Sequence, residues 1–348
     1  MPAPQHPSAV GRTRRPGRRL GLVVSALATA AVLAACAAEE PAPTAAPTVP
    51  AASPSPAPEP TTLLSGRVGE DHRVLAVKID NTVNSHPQAG VVAADIVYLE
   101  EVEYGLTRLM AVYSSRYPKV VGPVRSARIA DLEMLRQYGE PAFAYSGANP
   151  RLVPVLRAAP LYNVSDDVSG EGYWRQDGRS APWDLFADPE QLLARAPHAD
   201  RAKDIGFTFS DAAPLGGSMA RQVTVAWPGS SARFRWDADE ARWRLWMDGQ
   251  PAMATEGPQL GATTVIVQLV DVYPSEYGDA YGGVTPMTET VGRGRALVLR
   301  DGRVYRCRWA RKTAEEGTTW TYRGSDMPMS PGQIWVALLD NDRRPVVR

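Results

Sequence analysis

The ten residues 122–131, GPVRSARIAD, place two arginines around a serine at the start of an apolar run. Arg125 and Arg128 are three residues apart, so on a helix their guanidinium groups reach the same region. A guanidinium group is a planar fork that suits carboxylate or phosphate. We expect Ser126 to lie at the helix cap, where its hydroxyl would accept a backbone N–H. The segment is therefore either a solvated helix start or a socket for an anion beside the positive end of a helix.

Other charged residues stand where apolar segments end. Asp80 closes the first predicted strand, Glu101 and Glu103 leave the second on one face, and Arg108 lies just inside the third. The predicted ligand-binding residues are Asn81, Arg108, Arg125, Ser126, Arg128, Asp131, Arg175 and Arg179. If the site is catalytic, paired carboxylates are its agents, and Asp80, Glu101 and Glu103 are the candidates for base, nucleophile or acid.

Three interpretations of these charges remain open. They can form internal ion pairs that fix the fold, with Glu101 or Glu103 on Arg108 and Asp131 on Arg125 or Arg128. They can line a groove that binds an anionic wall polymer or a partner protein, or they can hydrolyse cell-wall glycan or peptide. The sequence has no HExxH, GxSxG or phosphate-binding loop, so we expect neither a metal nor another cofactor.

Strand and helix patterns are interleaved in the first half of the folded chain. The sequence predicts strands at residues 74–80, 95–103, 107–115 and 141–147. The spacing of apolar residues over residues 127–139 predicts an amphipathic helix. Asn149-Pro150 and Asp188-Pro189 are typical starts of two further helices. The interleaving predicts an α/β or α+β domain over residues 63–215.

After Gly216-Gly217 the sequence alternates apolar and polar residues with period two. This pattern, with Asp-Gly turns between its segments, predicts a mostly antiparallel β domain over residues 216–348. Seven of the nine tryptophans lie there, and we expect them in the core. Cys307 shares a strand face with Tyr305 and Trp309, so we expect a core residue rather than a nucleophile.

Residues 1–36 have the layout of an export signal. Five arginines precede a short apolar run, residues 20–35, which is shorter than the roughly 20 residues that span a bilayer. The run ends in Leu-Ala-Ala-Cys36, which resembles the bacterial lipobox, and predicts a lipid on Cys36. Residues 37–62 are rich in proline and alanine and predict a disordered tether. We therefore expect the body to be held at the outer face of the cytoplasmic membrane.

The charge balance bears on the class of partner. The full chain has 38 basic and 38 acidic residues, and removal of the five arginines in residues 1–36 leaves 33 against 38, a net charge of −5. A net negative charge argues against nucleic acid as a partner.

The motifs VKIDN, DIVYLEEVEYGLTR, VGPVRSAR and FAYSGANP resemble the YerB-like bacterial lipoproteins, a family with a two-part domain of unknown function. The resemblance continues through VIVQLVDVY to MSPGQIWVALLD and covers about residues 63–342. It implies an exported lipoprotein with an α/β front domain and a β-rich back domain, and it implies no reaction. One departure occurs at Trp183-Asp184, where the family usually has His-Asn after Ala-Pro.

Overall fold

Short turns connect apolar strands along most of the structure, a computed structural model that describes residues 59–348. The first half of this part contains β1 (Leu75–Asp80), β2 (Ile96–Glu101), β3 (Thr107–Tyr113), α1 (Ile129–Leu135), β4 (Ala142–Ala144), α2 (Val153–Ala158), β5 (Tyr162–Asn163), β6 (Tyr173–Arg175), β7 (Leu185–Ala187) and α3 (Pro189–Ala194). Single turns of 3-10 helix lie at Val83–Ser85, Val91–Ala93, Glu103–Gly105 and Arg136–Tyr138.

The second half consists of strands. They are β8 (Ser218–Met219), β9 (Gln222–Ala226), β10 (Ser231–Asp237), β11 (Arg242–Met247), β12 (Gln250–Pro251), β13 (Gly261–Ala262), β14 (Thr264–Gly278), β15 (Val284–Glu289), β16 (Gly292–Arg300), β17 (Arg303–Arg311), β18 (Thr319–Tyr322), β19 (Ser325–Asp326), β20 (Ile334–Asp340) and β21 (Val346–Val347).

The main sheet has 13 strands and contains strands from both halves of the chain. Its order is β19-β18-β17-β16-β14-β20-β2-β3-β1-β4-β5, with β15 beside β14 and β8 beside β17. Strand β20 lies between β14 and β2 and is parallel to both. A second sheet has six strands, in the order β12-β11-β10-β9-β21 with β13 beside β11, and β6 pairs with β7. The two sequence halves therefore share one hydrogen-bonded sheet.

Each face of the main sheet is buried by a different partner. Leu75, Val77 and Ile79 belong to one apolar cluster with Phe234 and Trp243 of the six-stranded sheet. On the opposite face, Ala76, Tyr98 and Met110 pack with Met134 and Tyr138 from α1 and the turn after it. Because side chains alternate along β1, Lys78 and Asp80 lie on this second face, which we call the helix-side face.

The structure is mostly β, and the predicted α/β character of residues 63–215 is not confirmed. The helices α1, α2 and α3 have only seven, six and six residues. Strand β3 pairs antiparallel with both β1 and β2, because the connection from β2 to β3 is a tight turn that excludes a crossover. Among the described residues of the second half there is no helix, and most strand pairs are antiparallel.

Two local predictions are wrong. The second strand ends at Glu101 instead of continuing to Glu103, because Tyr104 has a positive φ of 62° and the chain turns there. The helix of the GPVRSAR segment begins at Ile129 with Arg128 as its cap, so Ser126 does not cap it. A helix of seven residues also removes the predicted contribution of a helix terminus to anion binding.

Candidate functional site

The site begins with the register of three strands. Asp80 at the end of β1 lies opposite Arg108 on β3, and Arg108 lies opposite Glu100 on β2. Lys78 is two residues before Asp80 and shares its face. Charged residues thus collect at one end of the helix-side face, where α1 and its preceding loop cover the sheet.

Behind the loop lies a fully buried group of three charges, Lys78, Glu100 and Asp131, which we call the buried triad. The Lys78 Nζ atom lies 2.6 Å from an Asp131 oxygen and also contacts Glu100, and none of the three side chains is more than 1% exposed. Asp131 accepts a hydrogen bond of 2.6 Å from the Arg128 backbone N–H, which satisfies the start of α1. The triad therefore fixes α1 on the sheet.

Asp80 is bound from three directions. Arg125 Nε donates to one oxygen at 2.7 Å, and the backbone N–H of Thr82 donates to the other at 2.7 Å. The Thr82 hydroxyl also donates to this second oxygen, and Arg108 lies 3.7 Å from the first. Burial alone would raise the pKa of Asp80, but Arg108, the Thr82 hydrogen bonds and Arg125 together lower it below its usual value.

Glu103 is held by Arg128 and by a strand from the second half of the chain. Arg128 donates to one carboxylate oxygen from Nη2 at 2.7 Å and from Nε at 3.1 Å, and the Thr285 hydroxyl of β15 donates to the other. Burial opposes ionisation, but the hydrogen bonds and charge of Arg128, with the Thr285 bond, lower the pKa of Glu103. Both carboxylates are therefore held ionised.

These groups form the floor of a cleft with a volume of about 650 Å³. Arg108, Arg125, Ser126, Arg128 and Glu103 line it from the first half of the chain. The opposite wall is the hairpin between β14 and β15, and its lining residues are Tyr277, Gly278, Asp279, Ala280, Tyr281 and Thr285. The volume lies within the range typical of small-molecule sites.

Arg108 differs from the other two arginines of the floor. It is only 6% exposed, yet its side chain donates no hydrogen bond to any other residue in the described part of the chain, and its Nε atom is buried without a partner. Burial lowers the pKa of its guanidinium to about 10, while nearby Asp80 acts in the opposite direction. A buried guanidinium that lines a cleft and lacks hydrogen bonds is ready to bind an anion.

Ser126 also faces the cleft with an unused group. Its hydroxyl makes no hydrogen bond to another residue of the described chain, and a Cβ atom added to Gly147 would lie 2.9 Å from its Oγ atom. Gly147 also has a φ of +85°, so glycine both permits the local backbone and leaves room for the hydroxyl.

The remaining predicted residues lie outside the cleft lining. The Asn81 amide is buried between Thr107 and Gln88. Glu101 lies near Asp340 and Arg343, where burial raises its pKa. Asp131 belongs to the buried triad.

Two predicted arginines are engaged elsewhere. Arg175 pairs with Asp184 at 2.6 Å and is 61% exposed. Arg179 donates to the carbonyls of Ser85 and Pro87 and lies over the Phe186 ring. The structure thus brings together Asp80, Glu103, Arg108, Arg125, Ser126 and Arg128. Asn81 and Asp131 are buried beside this group, and Glu101, Arg175 and Arg179 make their contacts elsewhere.

The sequence analysis missed Glu100, Thr285 and the hairpin tyrosines. Glu100 could have been found, because a strict alternation along β2 places it on the face of Tyr98, toward α1. Thr285, Tyr277 and Tyr281 reach the cleft from about 180 residues away along the chain, and a single sequence carries no signal for such a contact.

Three further predictions concern cysteines, metals and membrane spans. Cys36 lies outside the described residues. Cys307 is buried, and burial raises the pKa of its thiol to about 12, which suits a core residue. Between residues 59 and 348 we find no group of three or more His, Cys, Asp or Glu side chains placed to hold a metal ion. Within the same residues, each helix is too short or too polar to cross a membrane.

Comparison with known proteins gives both a sequence and a structural match. Residues 61–202 match the family described as "Protein of unknown function (DUF3048) N-terminal domain", and residues 223–336 match its C-terminal domain. The protein named "Putative lipoprotein YerB" of Bacillus subtilis (strain 168) is 23% identical over 275 residues, which cover 77% of this chain and 82% of that protein. The crystal structure of the YerB protein from Bacillus subtilis matches with a TM-score of 0.70 at 21% identity, over 83% of this chain and 100% of that chain. The likeness shows a common fold.

Proposed function

Because this chain belongs to the DUF3048 family and is homologous to YerB of Bacillus subtilis, we propose that it is a lipid-anchored envelope protein whose cleft binds an anionic group of a wall polymer. The lipobox at Cys36 and the lipoprotein name of its relative support the anchoring. The descriptions of the matched family name no activity, so the proposal for the cleft rests on the geometry of the cleft itself.

The single observation that carries the binding proposal is Arg108. Burying a guanidinium without hydrogen bonds costs several kcal/mol, and a folded protein compensates such a group with a partner. Arg125 and Arg128 have carboxylate partners within 2.7 Å, whereas the nearest carboxylate oxygen to Arg108 is 3.7 Å away. An anion in the cleft would complete the hydrogen bonding of Arg108, with the Ser126 hydroxyl as a second donor.

Carboxylate-dependent hydrolysis has less support than binding. Such a reaction needs one carboxyl group with a raised pKa as the acid. Asp80 and Glu103 both have lowered pKa values, and Glu101, whose pKa is raised, does not line the cleft. Two carboxyl groups line the cleft among the described residues. Glu103 is bound by Arg128 and Thr285, and Asp279 accepts hydrogen bonds from the Tyr104 hydroxyl and from two backbone N–H groups of its own hairpin, so neither is placed to donate a proton.

Calorimetry with inorganic phosphate and with citrate tests anion binding. We expect the full chain to bind at least one of these anions, with affinity that falls as salt is added. Arg108→Gln should remove the binding, while Arg175→Gln, which changes an exposed arginine outside the cleft, should leave it intact. Equal binding by the wild type and Arg108→Gln would refute the proposal.

Cell fractionation tests the anchor separately. We expect Cys36→Ala to move the protein from the membrane to the soluble fraction, because the lipid would then have no attachment point. Retention of the variant in the membrane fraction would contradict lipid anchoring at Cys36.

A further inference from the structure

The polar groups of the cleft are mostly occupied by contacts within the protein. Glu103 is bound by Arg128 and Thr285. The Asn149 amide donates to the Gly278 carbonyl at 2.6 Å and accepts from the Arg151 backbone at 2.9 Å. Of the described side chains that line the cleft, Arg108 and Ser126 on the floor and Tyr277 and Tyr281 on the hairpin donate no hydrogen bond. Among these lining side chains the unpaired cation therefore lies on the floor, and two phenol hydroxyls lie on the hairpin.

Aromatic side chains supply much of the rest of the lining. They come from three separate parts of the chain and are Tyr104, Trp183, Tyr277 and Tyr281. The Trp183 indole N–H donates to the Thr82 hydroxyl at 2.9 Å, and the Tyr104 hydroxyl donates to Asp279 at 3.3 Å. Because these donors are already engaged, Trp183 and Tyr104 can offer a ligand ring surface but no further donated hydrogen bond.

This arrangement selects a particular kind of ligand. An anion small enough to be bound by Arg108 alone would leave most of a 650 Å³ cleft unused. An extended peptide would need free backbone donors and acceptors, which are the usual basis of peptide recognition. A pyranose ring that carries a carboxylate or phosphate fits both features, because its C–H face packs on an aromatic ring and its charge reaches the guanidinium.

Resting on the function proposed above, we infer that the anion is borne on a sugar ring, so that the cleft binds an acidic glycan. Arg108 binds the carboxylate or phosphate, with the Ser126 hydroxyl beside it, and Trp183 packs against the sugar ring. The β14–β15 hairpin, with Tyr277 and Tyr281, closes the other side of the bound segment. In this assignment Arg108 confers charge selectivity and Trp183 confers selectivity for a ring.

Isothermal titration of the full chain compares four probes: trigalacturonate, maltotriose, inorganic phosphate and a triglutamate peptide. We expect trigalacturonate to bind at least tenfold more tightly than phosphate, and maltotriose to bind more weakly than trigalacturonate by at least the same factor. Binding of triglutamate as tight as that of trigalacturonate would overturn the inference in favour of an acidic protein partner. Adenosine monophosphate serves as a further probe, and its tighter binding would overturn the sugar assignment.

Two substitutions at Trp183 separate this inference from the proposed function. Trp183→Ala should weaken trigalacturonate binding about tenfold and leave phosphate binding unchanged, and Trp183→Phe should recover most of the loss. Trp174→Ala, at a tryptophan outside the cleft lining, is the matched control and should change neither. If phosphate binds but trigalacturonate binds no better, the inference fails and the proposed function stands. If neither probe binds, the proposed function fails with it.

Discussion

Lys78 and Arg108 are buried cations on the same face of the main sheet, and their surroundings differ sharply. Lys78 has two carboxylate partners, Glu100 and Asp131, and no contact with the cleft. Arg108 has one carboxylate at 3.7 Å, no hydrogen bond to a described residue, and a place in the cleft lining. The comparison teaches that burial alone does not identify a functional charge. The number of internal partners distinguishes a structural cation, Lys78, from a candidate for ligand binding, Arg108.

The largest effect on stability is expected when the structural cation, Lys78, is removed. Lys78→Met should leave Glu100 and Asp131 buried without their cation and lower the free energy of unfolding by about 3–5 kcal/mol. Urea unfolding monitored by circular dichroism measures this change. The double variant with Lys78→Met and Glu100→Gln should recover part of the loss, because one buried charge is removed. A single variant as stable as the wild type would show that the triad does not fix α1.

A smaller effect is expected at Arg128, whose partner Glu103 keeps a second hydrogen bond. Arg128→Ala should lower the free energy of unfolding by about 2 kcal/mol, since Glu103 retains only the Thr285 hydroxyl. The exposed Arg175–Asp184 pair provides the control, and Arg175→Ala should cost at most about 1 kcal/mol. If Arg128→Ala and Arg175→Ala lower the free energy of unfolding equally, Arg128 contributes no more to stability than an exposed surface charge.

Arg108→Gln should change stability least of the three cation variants. Asp80 loses the charge of Arg108 at 3.7 Å but keeps Arg125 and the two Thr82 hydrogen bonds, and the removed guanidinium had no hydrogen bond of its own. We expect the free energy of unfolding to stay within about 1 kcal/mol of the wild type, as for most substitutions that break no network. A loss as large as that of Lys78→Met would mean that Arg108 is a structural cation.

The dependence of stability on pH tests the contribution of an ionised carboxylate, Glu103, in the same way. Glu103 has a lowered pKa in the folded state, so its contribution is present above its unfolded pKa of about 4.3 and is lost as the pH falls through the folded value. Glu103→Gln should therefore lose less stability than the wild type between about pH 5 and pH 3. Glu171→Gln, at an exposed position, should follow the wild-type curve. Urea midpoints across this range measure both curves.

The elements of the fold were predictable from local patterns. The apolar, β-branched run of residues 74–80 anticipated β1 to within one residue. The Asp-Gly pairs anticipated real turns, since Asp248-Gly249 and Asp301-Gly302 have positive φ at both residues. The predictions that failed depended on local backbone conformation. The residue type of Tyr104 does not predict its φ of 62°. Because the chain turns at Tyr104, Glu103 does not continue the strand that contains Glu101.

The candidate site was predictable in its charges but not in its geometry. The ends of apolar segments pointed to Asp80, Arg108, Arg125 and Arg128, and in the structure Arg108 and Arg125 lie within 3.7 Å and 2.7 Å of Asp80. Which carboxylate binds which arginine depends on strand register and on the hairpin that supplies Thr285, and both are set by contacts between distant parts of the chain. The departure at Trp183 was visible in the sequence, but its hydrogen bond to Thr82 was not.

The position of β20 has a consequence for the way the protein acquires its structure. Residues 334–340 lie between β2 and β14, so in the described part of the chain the two halves of the main sheet are joined by a strand that is synthesised long after β2. Until that strand emerges, β2 presents an unpaired edge, which is a site for aggregation or for chaperone binding. Loss of residues 334–340 would therefore remove a central strand of the main sheet, and a nascent chain must keep the edge of β2 protected until these residues have been made.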